Sequence, residues 1–248
     1  MAPLESLGGE ADAERARHLP SFSVMIGERV MCKIRTLGLC AVPLILVVLS
    51  LGVQADAKTQ VGAPSLTKDA VTVVLETELG RIVIAADISQ APRSAQAFLD
   101  FVDAGRLSSG GFYRVVRPDN DNGSPVISVI QGGVLDPTLI TVDDAIAHES
   151  TELTGIQHVN GVVSLARQAP GSASGGTFFI CIDDQTALDY GQARNPDQQG
   201  FAAFGRVIEG MDVVRKINAL TDTAVGVDPY VENQILSKPI RFNKVYRR

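Results

Sequence analysis

The sequence predicts a mainly β protein, a closed eight-stranded antiparallel β-barrel with two α-helices. Short β-branched and apolar runs recur throughout residues 70–248, and glycines or polar clusters separate one run from the next. Two segments of this region carry apolar residues at helical spacing. A closed barrel removes the exposed edges that so many short strands would otherwise leave. A two-sheet sandwich is the alternative that the same pattern allows.

The opening elements are a hairpin and a helix. Residues 71–75 and 81–86 are two strand candidates, and Gly80 supplies the turn before the second. Pro92 suits the first turn of a helix because no N–H is needed there, and apolar residues follow it at helical spacing. Gly105 is the predicted end of this helix.

Six further strands and one more helix complete the predicted domain. The helix covers residues 211–220, where the apolar side chains share one face. Two polar loops, 117–125 and 190–200, are rich in turn residues, and they are either plain surface loops or the borders of a substrate groove. The six strand candidates are residues 112–116, 126–130, 162–165, 178–182, 202–207 and 240–245.

The N-terminal segment predicts export. Lys33 and Arg35 precede the apolar run 37–53, and residues 55–57, Ala-Asp-Ala, fit the small-x-small rule of signal peptidase. Charge, apolar core and cleavage site therefore occur in the order of a secretory signal peptide, with cleavage expected after Ala57 and Ala55 as the next choice.

The predicted organisation has three parts: an N-terminal extension and signal peptide over residues 1–57, a flexible leader over 58–69, and the folded domain over 70–248. The expected location is the periplasm. The alternative is an uncleaved anchor through residues 37–53, with the domain facing the periplasm, although this run is near the short limit for crossing a bilayer. Translation has three candidate starts, Met1, Met25 and Met31.

Composition excludes several classes of function. The chain of 248 residues has a formal net charge of −6, so a broad basic face for nucleic acid is not expected. The three histidines, at positions 18, 148 and 158, are too scattered to predict a metal site.

Cys181 lies in an apolar run, which predicts that its side chain is buried. A monomer is expected because no coiled-coil pattern is present.

Five short motifs of this chain resemble those of one family. Residues 112–116 read Phe-Tyr-Arg-Val-Val and are similar to Phe-His-Arg-Val-Ile, and residues 129–133 read Val-Ile-Gln-Gly-Gly and are similar to Met-Ile-Gln-Gly-Gly. Residues 161–166 read Gly-Val-Val-Ser-Leu-Ala, residues 176–180 read Gly-Thr-Phe-Phe-Ile, and residues 203–211 read Ala-Phe-Gly-Arg-Val-Ile-Glu-Gly-Met. In this order, the five resemble the cyclophilin family of peptidyl-prolyl cis/trans isomerases.

The resemblance implies that the two helices cap the barrel and that the substrates are proline-containing peptides and unfolded or exported proteins. The reaction rotates an X–Pro amide against a barrier of about 18–20 kcal/mol, and it breaks no bond. A catalyst therefore needs no nucleophile, metal or cofactor, but a donor that favours the twisted amide over both planar forms. As the amide twists, the lone pair of the prolyl nitrogen localises and becomes a hydrogen-bond acceptor.

The motif match assigns the site residues one by one. Arg114 is the implied catalytic donor, because a guanidinium is always charged and has a rigid fork of donors. On strand pattern alone it would be an ordinary exposed charge. Phe178 and Phe179 must face opposite ways, so that one fills the core and the other lines the groove. The residues implied to bind substrate are Gln131, Phe179, Val129, Leu188, Ala166, Thr177 and Phe201.

Several groove positions differ from the family pattern. Thr177 stands in place of a glutamine, Arg167 in place of an asparagine and Phe201 in place of a histidine. Ser128 falls where an aromatic residue is usual, and Ala187 falls where many members carry tryptophan. These differences affect the expected substrate preference, and without the tryptophan tight binding of cyclosporin is not expected.

Two other classes of function remain as alternatives. The altered groove also fits a chaperone or binding module that holds proline-containing segments with weak or no catalysis. A hydrolase is a poor fit, because residues 171–175 read Gly-Ser-Ala-Ser-Gly and place Ala173 where a nucleophilic serine would stand.

Overall fold

Eight strands form a closed antiparallel barrel in the computed structural model, which describes residues 69–225 and 227–248. Around the barrel the order is β1-β2-β7-β5-β6-β4-β3-β8, and β8 pairs back with β1. The predicted fold class is thus confirmed, and the sandwich is excluded. The strands are β1 Ala70–Thr77, β2 Gly80–Asp87, β3 Gly111–Val116, β4 Val129–Gly133, β5 Val162–Leu165, β6 Thr177–Cys181, β7 Ala202–Glu209 and β8 Ile235–Arg247.

In residues 69–225 and 227–248, three α-helices accompany the barrel: α1 Pro92–Asp103, α2 Thr151–Thr154 and α3 Met211–Asn218. The two longer helices were predicted, whereas the single turn α2 was not. The predicted signal peptide or anchor, 1–57, lies outside the described residues, as does the leader apart from Asp69. Within the described part of the chain, no helix is both long and apolar enough to cross a membrane.

Helix α1 is held by a residue that lies far from it in the sequence. Pro92 occupies the first turn, and no side chain of the preceding residue caps the helix. Instead the buried carboxylate of Glu149 accepts hydrogen bonds from the backbone N–H groups of Arg93 and Ser94, at 3.2 and 2.7 Å. A negative charge at this end of the helix also favours the helix dipole.

Aromatic side chains fill the barrel interior. Phe98 of α1 contacts Phe178 of β6 and Phe204 of β7, with ring centroids 5.3 and 5.1 Å apart. Phe112 of β3 and Phe242 of β8 extend the cluster. Helix α1 therefore covers the interior from one side, as the resemblance implied for a capping helix. The edge-to-face contact between Phe98 and Phe178 is of a kind that stabilises a core by about 0.5–1.5 kcal/mol beyond the area that it buries.

Strand β4 begins later than predicted. The prediction was 126–130, but the N–H groups of Ile127 and Ser128 donate to the side chains of Asp121 and Gln185 and not to a neighbouring strand, and β4 begins at Val129. The strand instead continues through two glycines that pair with β3 and β6. At Gly133, with φ of +141°, a Cβ atom would lie 2.0 Å from the carbonyl oxygen of Gly176, and so only glycine fits.

Strand β8 is longer than predicted, because Pro239 does not break it. The prediction was 240–245, whereas the strand begins at Ile235. Pairing with β3 shifts between Ile240 and Ile235, so Pro239 lies in an irregular stretch where its missing N–H costs no hydrogen bond with that neighbour. The early part of β8 thereby comes to lie beside Arg114.

Candidate active site

A groove of about 650 Å³ runs along the outer face of the barrel. Strands β3, β4 and β6 contribute its wall, and the segments around Arg167, Arg194 and Tyr230 contribute its borders. The structure brings every predicted site residue to this one groove: Arg114, Val129, Gln131, Ala166, Thr177, Phe179, Leu188 and Phe201.

Arg114 projects from β3, and two neutral amide side chains hold it. Its Nε and Nη2 atoms donate to Oε1 of Gln234 at 2.9 and 2.6 Å, and its Nη1 donates to Oε1 of Gln131 at 3.1 Å. Three of the five guanidinium N–H groups are thus engaged, which leaves one on each terminal nitrogen for a ligand. Burial lowers the pKa of Arg114 from its usual value, yet arginine stays charged at any physiological pH.

The apolar part of the groove is a second hydrophobic cluster, separate from the barrel core. Phe179 is 5% exposed and forms its floor, with Val129 and Leu188 beside it. Phe201 meets Phe179 edge to face, with ring centroids 5.2 Å apart. Phe178 points into the barrel interior instead, as the alternation of the strand predicted. The cluster gives the groove an apolar surface of the kind that a proline ring needs.

His158 lies beneath this cluster, although it was not among the predicted site residues. Its ring is fully buried and stacks on Phe179 at 5.9 Å. With the proton on Nδ1, it donates to Asp189 Oδ1 at 2.7 Å, and Nε2 accepts from Ser164 Oγ at 3.1 Å. Ser164 is also fully buried and does not line the groove, so this serine–histidine–aspartate set supports Phe179 and is not a nucleophile triad.

The two polar loops meet at a buried ion pair. Arg194 of loop 190–200 binds Asp121 of loop 117–125 through both terminal nitrogens, at 2.7 and 2.8 Å, and the two side chains are only 4% and 1% exposed. Burial raises the pKa of Asp121, but hydrogen bonds from Arg194 and from the N–H groups of Gly123 and Ile127 outweigh this and hold the pKa below its usual value. Loop 190–200 borders the groove through Arg194 and Asn195.

Arg167 binds the C-terminal part of loop 190–200. Its terminal nitrogens bind both carboxylate oxygens of Asp197, at 2.8 and 2.9 Å, and its Nε donates to the carbonyl of Gly200 at 2.7 Å. The guanidinium also lies 5.4 Å from the ring centre of Phe201. The arginine that replaces the family's asparagine is therefore engaged in holding the loop that carries Phe201.

The Arg167–Asp197 pair predicts acid sensitivity of this loop. Hydrogen bonds from Arg167 lower the pKa of Asp197 to about 2 in the folded protein, against an ordinary value of 3.8. Since the folded pKa is the lower one, the pair stabilises the fold above pH of about 4, and its contribution is lost as pH falls toward 2. We expect urea unfolding of an Asp197→Asn variant to show a smaller loss of stability than wild type over this window. Equal losses in the two proteins would contradict the assignment.

Sequence reasoning missed several residues of the site. Gln234, Arg194 and Tyr230 belong to no family motif, and the polar loops gave only a general indication that 190–200 borders the groove. Loop 117–125 does not line the groove itself. It contacts the groove's border through Asp121, which binds Arg194. Tyr230 also contacts the proposed catalytic residue, because the guanidinium of Arg114 lies 5.9 Å from the centre of its ring.

The chemistry available in the groove is that of a positioned cation beside an apolar pocket. No carboxylate lines it, and within the part of the chain described no group of His, Cys, Asp and Glu side chains could hold a metal ion. Cys181 is fully buried in the cluster around Phe179, and burial raises the pKa of its thiol well above the usual value. The arrangement suits binding and distortion of an amide better than attack on it.

Comparison with known proteins finds peptidyl-prolyl cis-trans isomerases, both by family model and by sequence. The family model for cyclophilin type peptidyl-prolyl cis-trans isomerases matches residues 72–240. Peptidyl-prolyl cis-trans isomerase A of Dickeya dadantii is 31% identical over 168 residues, which cover 68% of this chain and 80% of that protein. Peptidyl-prolyl cis-trans isomerase B of Escherichia coli is 31% identical over 158 residues, covering 62% of this chain and 88% of that protein.

Solved structures share the fold. A crystal structure of a cyclophilin-type isomerase from Cryptosporidium parvum, determined in the presence of the dipeptide Ala-Pro, matches with a TM-score of 0.54 at 17% sequence identity. The match covers 71% of this chain and 98% of that chain. At this identity the likeness concerns the barrel architecture.

Proposed function

This chain belongs to the family of cyclophilin-type peptidyl-prolyl cis-trans isomerases and is an isomerase of X–Pro bonds, and we propose that Arg114 is its catalytic donor and that it assists the folding of exported proteins. The single observation that carries the first proposal is the position of Arg114. Its guanidinium keeps two N–H groups for a ligand and lies in the same groove as the apolar floor around Phe179.

The mechanism follows from this geometry. A proline ring seated on Phe179 brings its nitrogen into the same groove as Arg114, while Gln131 binds the backbone of the substrate. As the amide twists, the prolyl nitrogen gains a localised lone pair, and a hydrogen bond from Arg114 stabilises it. The planar cis and trans forms offer no such acceptor, so the hydrogen bond lowers the barrier in both directions.

Nuclear magnetic resonance exchange spectroscopy on an Ala-Pro peptide measures the activity directly. Catalytic amounts of the protein are expected to produce cross-peaks between cis and trans forms within a second, whereas uncatalysed exchange takes tens to hundreds of seconds. Ala-Pro is a suitable probe because it is the dipeptide present with the Cryptosporidium parvum relative. Binding without faster exchange, for several residues before proline, would indicate a module that holds proline segments.

The role in export rests on residues 1–57. The order of basic residues, apolar run 37–53 and Ala-Asp-Ala supports a cleaved signal peptide and a periplasmic domain. Clients would then be exported proteins that fold after crossing the membrane, where slow X–Pro exchange can limit folding.

Cell fractionation and N-terminal sequencing test the export proposal. The protein is expected in the soluble periplasmic fraction with Lys58 as its first residue. An Ala57→Tyr variant is expected to keep its signal segment, because a large side chain does not fit the small-x-small rule. Wild-type protein that is periplasm-facing but membrane-bound and uncleaved would establish the anchor instead. Wild-type protein retained in the cytoplasm would refute export.

A further inference from the structure

Gln234 is a fully buried amide in the turn immediately before β8, outside every family motif. Its Oε1 accepts two hydrogen bonds from Arg114, and its Nε2 donates to the backbone carbonyl of Asn120 at 2.8 Å. Its backbone carbonyl accepts from the N–H of Val115, the residue after Arg114 on β3. One residue thus fixes both the guanidinium of Arg114 and the strand that carries it.

We propose that Gln234 is the positioning residue for Arg114, and that loop 117–125 holds Gln234 in place. This inference rests on the proposed role of Arg114. A single acceptor oxygen bound to Nε and Nη2 sets the plane of the guanidinium, and it leaves the free N–H groups of Nη1 and Nη2 to the groove. Because the amide is neutral, it orients the cation without cancelling its charge.

Loop 117–125 is built to hold this amide. Asn120 presents its backbone carbonyl to Gln234, and its own side chain donates to the carbonyls of Val115 and Asn233 at 3.2 and 2.9 Å. The N–H of Arg117 in turn donates to the Asn120 side chain at 2.7 Å. The carbonyl that receives Gln234 is therefore fixed by contacts to β3 and to the turn that precedes β8.

The buried ion pair between Arg194 and Asp121 also holds loop 117–125 in place. Asp121 follows Asn120 directly, and Arg194 grips its carboxylate. Arg194 also donates to the carbonyl of Pro125 at 2.7 Å, near the end of the same loop. A continuous series of contacts thus runs from loop 190–200 through loop 117–125 and Gln234 to Arg114.

The test is steady-state isomerisation by Gln234→Met, a variant of similar size that lacks the acceptor and the donor. We expect kcat to fall by about 10- to 100-fold with KM little changed, the range seen when the outer partners of metal ligands are removed. A positioned donor acts in the transition state, so its misplacement lowers kcat and leaves ground-state binding largely intact.

A second readout reports the position of Arg114 itself. In ¹⁵N spectra, the Nε–H of Arg114 is expected to be protected from solvent exchange in wild type and to lose that protection in Gln234→Met. Gln234→Glu keeps the acceptor for Arg114, but it replaces the donor to Asn120 with an oxygen and adds a negative charge beside the guanidinium. It should therefore retain the Nε–H protection, although the added charge is expected to lower kcat as well. Should the methionine variant fail to fold, this variant carries the test: loss of its Nε–H protection would overturn the proposal.

A matched control distinguishes the effect of a misplaced Arg114 from the effect of a less stable fold. Thr77→Val removes two partly buried side-chain hydrogen bonds at the β1–β2 turn, and Thr77 does not line the groove. It should lower the unfolding temperature but leave kcat unchanged. If Arg114→Ala loses activity while Gln234→Met keeps the wild-type kcat, the positioning role of Gln234 is overturned and the donor role of Arg114 stands. Wild-type kcat in Arg114→Ala would overturn the donor role on which it rests.

Discussion

Replacing Arg114 with alanine is expected to lower kcat/KM for an Ala-Pro peptide by about 10²- to 10³-fold, the usual effect of removing one preorganised donor from a transition state. The protein should still bind the peptide, because the apolar floor of Phe179, Val129 and Leu188 remains. The loss should therefore appear mainly in kcat, which exchange spectroscopy and peptide titration measure separately.

A lysine at position 114 tests whether charge alone suffices. Lysine keeps the positive charge, but its ammonium group lacks the planar fork that Gln234 and Gln131 hold. We expect Arg114→Lys to recover only part of the activity. Arg241 is a suitable control, since it is an exposed arginine on β8 that does not line the groove. Arg241→Ala should leave kcat/KM unchanged, and wild-type activity in Arg114→Ala would exclude the donor role.

The largest expected effect on stability comes from Asp121→Ala. Removing this carboxylate leaves the guanidinium of Arg194 buried without its counter-charge, a change that typically costs about 3–5 kcal/mol of the free energy of unfolding. The backbone N–H groups of Gly123 and Ile127 also lose their acceptor. Urea unfolding, followed at pH 7, measures the effect.

An exposed ion pair provides the contrast. Asp212 and Lys216 lie one turn apart on α3, with side chains 71% and 63% exposed. Solvent screens such a pair, so Asp212→Ala is expected to leave the urea midpoint close to wild type. If the two variants shifted the midpoint equally, the burial of the Arg194–Asp121 pair would have no energetic consequence, and the lock that it places on loop 117–125 would be in doubt.

Local patterns predicted the barrel and the centre of the groove. Strand alternation alone separates Phe178 from Phe179, since neighbouring side chains of a strand face opposite ways. The motif match placed Arg114 and Gln131 on adjacent strands, and their register in β3 and β4 makes them direct neighbours. Glycines misled the prediction most at β4, where Gly132 and Gly133 pair within the sheet instead of ending it.

The supporting contacts could not be predicted, because each joins residues far apart in the chain. Gln234 lies 120 positions from Arg114, and Arg194 lies 73 positions from Asp121. Either residue, taken from the sequence alone, is an ordinary polar side chain in a loop or at a strand end. Nothing in spacing or composition indicates that folding buries it against one particular partner.

The sequence by itself determined most of the strand and helix pattern, the barrel fold and the residues at the centre of the groove, because these depend on periodicity and on short motifs that are local in the chain. Only the tertiary structure decided how the groove is held: which carboxylate caps α1, which amide orients Arg114 and which ion pair joins the two polar loops. Those choices depend on barrel closure, which brings β8 beside β3 and makes neighbours of side chains that no local pattern connects.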